Sequence, residues 1–149
     1  MAKIEKFEEL DCWKAARELV NLVYDLCEKD ILSKDWDTVR QIKRASLSSM
    51  NNIAEGFARF SDKEFVRFLD IAQASSVEVR SMSYVLLDRN YISEIEFRQL
   101  QESATKTGNL ASGLIRHIVK KRGIGFKVWF AFFVAASSAF NSVNNNLTT

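Results

Sequence analysis

Proline is absent from this chain, and glycine occurs only five times in 149 residues. With so few breakers, long helices are favoured over a turn-rich β fold. Histidine occurs once, as His117, and cysteine twice, as Cys12 and Cys27. One histidine and two distant cysteines cannot build an ordinary zinc site, and no Ser-His-Asp or Cys-His set is credible around them. The cysteines lie 15 positions apart on one apolar pattern. That is about 22 Å along a helix, too far for a disulfide. Buried, reduced thiols are expected, which suits a cytoplasmic protein.

A dominant charge is missing too. The net charge is +2, so bulk electrostatics does not announce a nucleic-acid partner. No acidic residue follows Arg122, and residues 1–122 hold 20 basic against 19 acidic side chains, or +1. Any basic footprint has to come from local arrangement or from repetition in an oligomer. MAKIEKFEEL at the start is charged and has no apolar h-region, so no signal peptide is expected. Gly123-Ile124-Gly125 follows no strand and is not a phosphate loop. Glu64, Asp70 and Glu78 suggest a di-metal site only if Glu-x-x-His pairs accompany them, and the position three before His117 is Leu114. The expectation is a non-enzyme with neither metal nor cofactor.

What is present is helical periodicity. A chain of this length has room for one domain, and four blocks can be read in it. The first runs from about Phe7 to Lys29, with Leu10, Trp13, Ala16, Val20, Val23 and Cys27 repeating at three and four, widened by Leu19, Leu22 and Leu26. Asp30 to Asp37 is polar enough for a connection. The second block runs from about Thr38 to Arg59. At 100° per residue Val39, Ile42, Ser46, Met50, Ile53 and Phe57 share a narrow sector, and Arg44, Ser48, Asn52, Glu55 and Arg59 form a second stripe opposite. Ala45, Ser49 and Gly56 lie between the stripes and are small enough to admit another helix.

Ser61-Asp62-Lys63-Glu64 reads as a capping box opening a third helix, to about Arg89, with Phe65, Phe68, Leu69, Ala72, Val79, Met82 and Leu86 inward. Ser93-Glu94-Ile95-Glu96 reads as a second box. It opens a fourth helix with Phe97, Leu100, Ala104, Thr107, Ala111, Leu114 and Ile118 at heptad spacing. The short connections, Phe60-Ser61 and Asn90-Tyr91-Ile92, make neighbours antiparallel. The fold class is all-α, an antiparallel up-down-up-down four-helix bundle over residues 1–122. Residues 123–149 form a tail, apolar from Phe126 to Phe140 and then Asn-rich. The apolar run is shorter than the roughly 20 residues a membrane span needs. A disordered or loosely docked tail, a helix packed on a partner, and a membrane anchor beside Lys120, Lys121 and Arg122 all stay open.

The run Gln41-Ile42-Lys43-Arg44-Ala45-Ser46, then Asn52-Ile53-Ala54-Glu55-Gly56-Phe57-Ala58-Arg59, then Ser61, Glu64-Phe65 and Phe68-Leu69-Asp70-Ile71-Ala72, resembles the bacterial four-helix bundle proteins encoded by large-subunit ribosomal RNA intervening sequences. Phe7-Glu8-Glu9-Leu10 with Trp13, Ala15 and Ala16 is similar to that family's opening, and the resemblance extends from about Phe7 to Val119. It implies a left-handed up-down bundle and commonly a ring-shaped homopentamer with a central pore. The family also includes the accessory variability determinant of diversity-generating retroelements, a basic pentamer that binds nucleic acid and a reverse transcriptase. This chain departs at Ser49-Met50-Asn51, which lacks the proline usual there, and in its apolar tail.

Three constellations carry the functional reading. Arg40, Lys43 and Arg44 cluster early in the second block, and Arg59, Lys63 and Arg67 span the turn into the third. Such groups contact phosphates without reading sequence, and a ring would multiply them. The bland alternative is a solvated face. Asn52, Glu55 and Gly56, with Arg59, mark an oligomer contact or a polar network that supports the fold. Arg116, His117, Lys120, Lys121 and Arg122 end the fourth helix, where the dipole alone favours cations. RNA or anionic lipid is the other reading. Two functions follow. One is a non-catalytic accessory protein, oligomeric, that binds RNA or DNA and assists a reverse transcriptase. The other is a scaffold oligomer that recruits proteins and touches no nucleic acid.

Overall fold

Residues 4–121 are described by the computed structural model, and among them the regular structure is entirely helical. A 3-10 turn at Phe7–Glu9 leads into α1, Asp11–Cys27, and a second at Leu32–Lys34 leads into α2, Trp36–Phe57. Then come α3, Asp62–Asp88, and α4, Glu94–Lys121. The chain divides into two units, Met1–Ile115 and Arg116–Thr149. Arg122 and the tail at 123–149 lie outside the described residues.

Side-chain pairs fix the direction of each helix. Lys29, two residues past the end of α1, reaches Glu96 of α4 at 2.7 Å, and Glu18 of α1 accepts from Lys106 of α4 at 2.9 Å, so going down one helix is going up the other. Between α3 and α4, Gln101 donates to the Arg80 carbonyl and to Ser83 Oγ, and Tyr84 meets Phe97 edge-on at 5.1 Å. Between α2 and α3, Gln41 bonds Glu78, Ser48 bonds Ser75 at 2.9 Å, and Phe57 meets Phe65 at 6.0 Å. α1 packs on α2. The up-down-up-down four-helix bundle read from the sequence is the architecture observed.

Leu19, Val23 and Leu26 of α1, Ile42 of α2, Val79 and Leu86 of α3 and Leu100 of α4 make one apolar cluster, with Leu32 and Ile92 closing one end. Burial of each such side chain is worth about 1.5–3 kcal/mol. Small hydroxyl residues share the interior. Ser46, Ser75, Ser76, Ser83 and Thr107 are buried, and each returns its hydroxyl to a carbonyl three or four residues back on its own helix. Polarity at these five is satisfied locally, so they serve as close-packing spacers, whereas the buried Ser49 Oγ has no hydrogen-bond partner among the described residues.

Helix ends differ from the sequence reading in several places, with α1 and α2 each ending two residues early. α2 starts at Trp36, two residues early, because Asp35 caps it, accepting from the Thr38 amide at 3.1 Å and its hydroxyl at 2.8 Å. α1 is preceded by a 3-10 turn instead of starting at Phe7. Ser93 and Glu96 form the expected reciprocal capping box, but Ser61 makes no side-chain cap. α3 closes in a Schellman motif: Asn90 sits at φ 56, its amide bonds Leu87 O and the Tyr91 amide bonds Leu86 O. α2 runs unbroken through Ser49-Met50-Asn51.

Candidate nucleic-acid interface

The core face of α2 is rotated from the predicted sector toward the small residues. Ile42, Ala45, Ser46, Ser49, Ile53 and Gly56 are buried, and Val39, Met50 and Phe57 are only partly so. Gly56 shows why: a Cβ built there would lie 2.6 Å from Phe68 Cβ and 2.9 Å from the Phe65 ring. α3 can approach α2 only over a residue without a side chain. The rotation splits the polar stripe. Ser48 faces α3 through Ser75, and the Asn52 amide donates to the Ser48 carbonyl at 2.8 Å and to its hydroxyl at 3.1 Å. Arg44, Glu55 and Arg59 remain exposed.

The six cations selected from the sequence form two groups. Arg40, Lys43 and Arg44 sit in the first turns of α2, and Arg59, Lys63 and Arg67 lie about its far end and the start of α3. From Arg44 to Phe57 is about 20 Å of helix, so one chain does not merge them into one patch. Within the bundle, none of the six is tied to a carboxylate of another helix. Lys43 Nζ lies 4.3 Å from the centre of the Tyr24 ring, and Arg59 Cζ lies 4.8 Å from that of Phe68. Arg44 and Lys63 have no partner among the described residues. Arg40 pairs with Asp37 and Arg67 with Glu64, at 3.5 Å in the latter case, as exposed i,i+3 pairs. Such pairs are worth a few tenths of a kcal/mol. The Glu55–Arg59 pair that their spacing permits is absent, because Arg59 takes the Phe68 ring instead.

Other cations are used differently. Lys29 and Lys106 bridge α1 to α4, and Arg80 bonds Gln101. Lys29 and Lys106 are thus paired with carboxylates distant in the chain, whereas Lys43 and Arg59 meet only the rings of neighbouring helices and keep their charge uncompensated.

The sequence reading missed an apolar face. Ile71, Val77, Tyr84 and Val85 of α3 are 40–55% exposed, and Ala74 and Ser81 lie exposed among them. With the exposed Asp70, Glu78 and Asp88 they form the side of α3 away from its buried residues. The signal was present: α3 has apolar residues at these positions as well as on its core face. Trp36, Ile31 and Ile95 are also exposed, near the end of the bundle where α2 and α4 begin, and Phe60 is exposed in the α2–α3 turn.

At the end of α4, Arg116, His117, Lys120 and Lys121 are exposed. Among the described residues, no group of three or more His, Cys, Asp or Glu side chains is placed to hold a metal ion, and no helix is long and apolar enough to cross a membrane.

Residues 8–113 match the family model described as 23S rRNA-intervening sequence protein. The chain is also similar to a crystal structure of a protein of unknown function from the S23 ribosomal protein family of Bacteroides thetaiotaomicron VPI-5482. That likeness has 24% identity and a TM-score of 0.60, over 70% of this chain and 94% of the other. It supports the four-helix fold. No curated protein matches.

Proposed function

The chain belongs to the 23S rRNA-intervening sequence protein family, and on that footing we propose that it is a non-catalytic accessory protein that assembles with itself and binds structured RNA or DNA through phosphate contacts. The carrying observation is the way its cations are used. Arg40, Lys43, Arg44, Arg59, Lys63 and Arg67 are either unpaired, stacked on aromatic rings, or in weak exposed pairs with their own helix. Their charge is left available to an anion, whereas Lys29 and Lys106 are committed to the fold. A monomer of charge +2 needs repetition to hold a polyanion, and the apolar outer side of α3 supports assembly. A ring of subunits, five by family resemblance, repeats both cation groups around it. A reverse transcriptase is the enzyme such a protein would assist.

Salt dependence tests the reading. Each neutralised phosphate releases counterions, so neutralising about six of them lowers affinity about a thousandfold between 50 and 200 mM salt. The expected result is that steep slope for structured RNA, and a flatter one when Arg40, Lys43 and Arg44 are replaced by alanine, with helicity unchanged. A folded protein that ignores RNA and DNA at low salt would point instead to a protein-recruiting scaffold.

A further inference from the structure

The α2–α3 turn carries a side chain that the bundle leaves out altogether. Phe60 has a relative exposure of 110%, so nothing among the described residues shields it. Single exposed apolar residues are common and by themselves mean little. Here the surroundings are specific. Arg59 precedes Phe60, and Lys63 and Arg67 follow on the first turns of α3. Arg59 is held over the Phe68 ring, Lys63 has no partner among the described residues, and Arg67 has only its exposed pair with Glu64. The acidic residues of the turn are Asp62 and Glu64.

The turn is also well held. The Arg59 amide bonds the Gly56 carbonyl at 3.1 Å, the Phe65 amide bonds the Ser61 carbonyl at 2.9 Å, and Phe57 packs on Phe65. The ring therefore projects from a turn anchored on both sides, and less order has to be imposed when a ligand arrives. A free phenyl face beside several cations suits a ligand that is flat, aromatic and anionic at once. Unpaired nucleotides have that chemistry; a perfect duplex does not offer it, because its bases are stacked on each other. A second copy of the chain brought against Phe60 would have to crowd or desolvate the cations, whereas a nucleotide neutralises them.

We propose that Phe60, with Arg59, Lys63 and Arg67 beside it, is a stacking site for an unpaired base, so that single-stranded segments are the preferred ligand. This rests on the nucleic-acid reading above and narrows it.

The test compares a labelled oligo(U) strand with a fully paired RNA duplex of the same length, at low salt, using the full chain. F60A should weaken the strand by about 5- to 150-fold, the usual yield of one base–aromatic stack. It should leave duplex affinity, the salt slope and the oligomeric mass unchanged, since no charge is altered. F60W should restore strand binding, with a fluorescence quench on adding oligo(U) that exceeds any in the unsubstituted protein. Equal strand affinity in F60A and the unsubstituted protein overturns the stacking site and leaves the nucleic-acid reading intact. A change in oligomeric mass with F60A also overturns it, making Phe60 a subunit contact. Binding of neither ligand by the unsubstituted protein overturns both.

Discussion

A hydrogen stands at Gly56 where any other residue would place a carbon, and that carbon would collide with Phe68 Cβ and the Phe65 ring. Phe68 Cβ is bound to its own backbone and cannot swing aside, so Gly56→Ala must push α2 and α3 apart. The expected cost is about 1–3 kcal/mol, the usual range for overpacking, read as a lower urea midpoint with unchanged slope. Helicity should persist while stability falls. Cys12 makes a second prediction at this scale. Burial pushes its thiol up to about 11, and burial likewise raises Cys27, against the opposing charge of Lys43. Neither should react with a thiol reagent at pH 8 in the folded protein, and both should react in denaturant. Gly56 was legible in the sequence as a point of close approach; its partner was not, because only the fold brings Phe65 and Phe68 beneath it. Ser75, Ser76 and Ser83 were not legible as interior positions. Their hydroxyls look polar in a sequence, but each is satisfied by its own helix.

Among elements, two carboxylates join loops to helices at one end of the bundle. Asp35 caps α2 and also accepts from the Tyr91 hydroxyl at 3.0 Å, tying the start of α2 to the α3–α4 connection. Glu96 takes both Lys29 and the Ser93 amide. The Thr38 hydrogen bonds lead in holding the Asp35 carboxyl below its ordinary value, and the Lys29 ammonium leads in doing the same for Glu96. A pKa lower in the folded chain than in the unfolded one gives stability that is fully present above about pH 4–5 and is lost as pH falls through the folded value. Thermal unfolding should therefore move to lower temperature between about pH 5 and pH 3, and less so in Glu96→Gln. An equal acid shift in that variant would show that Glu96 carries none of it. The two boxes, Ser61–Glu64 and Ser93–Glu96, look alike in sequence, yet only the second forms. Glu64 is drawn to Arg67 at i+3, whereas the Lys29–Glu96 bridge leaves Glu96 bonded to Ser93 as well. Helix count and direction were legible because periodicity and short turns fix them. The start of α2 was misplaced because Asp35 lies in a polar run that reads as loop.

For the whole molecule, the outward face of α3 is the main feature that periodicity did not single out. Ile71, Val77, Tyr84 and Val85 are exposed along one side of one helix, which is more than scattered surface apolarity. If this face joins subunits, Val77→Asp together with Val85→Asp should leave the helix content intact and reduce the mass seen by light scattering. The same mass in the variant would move the subunit contact to another face. Basic residues were easy to select from the sequence. Which of them the fold consumes was not, since Lys29 and Lys106 find their carboxylates 67 and 88 positions away.

The most direct measurement is sedimentation of a labelled structured RNA in the presence of excess protein, followed at increasing salt. At low salt the RNA should move with a particle of several subunits, and it should be released steeply as salt rises from about 50 to 200 mM. RNA that sediments alone at low salt, beside a folded protein, would contradict the account.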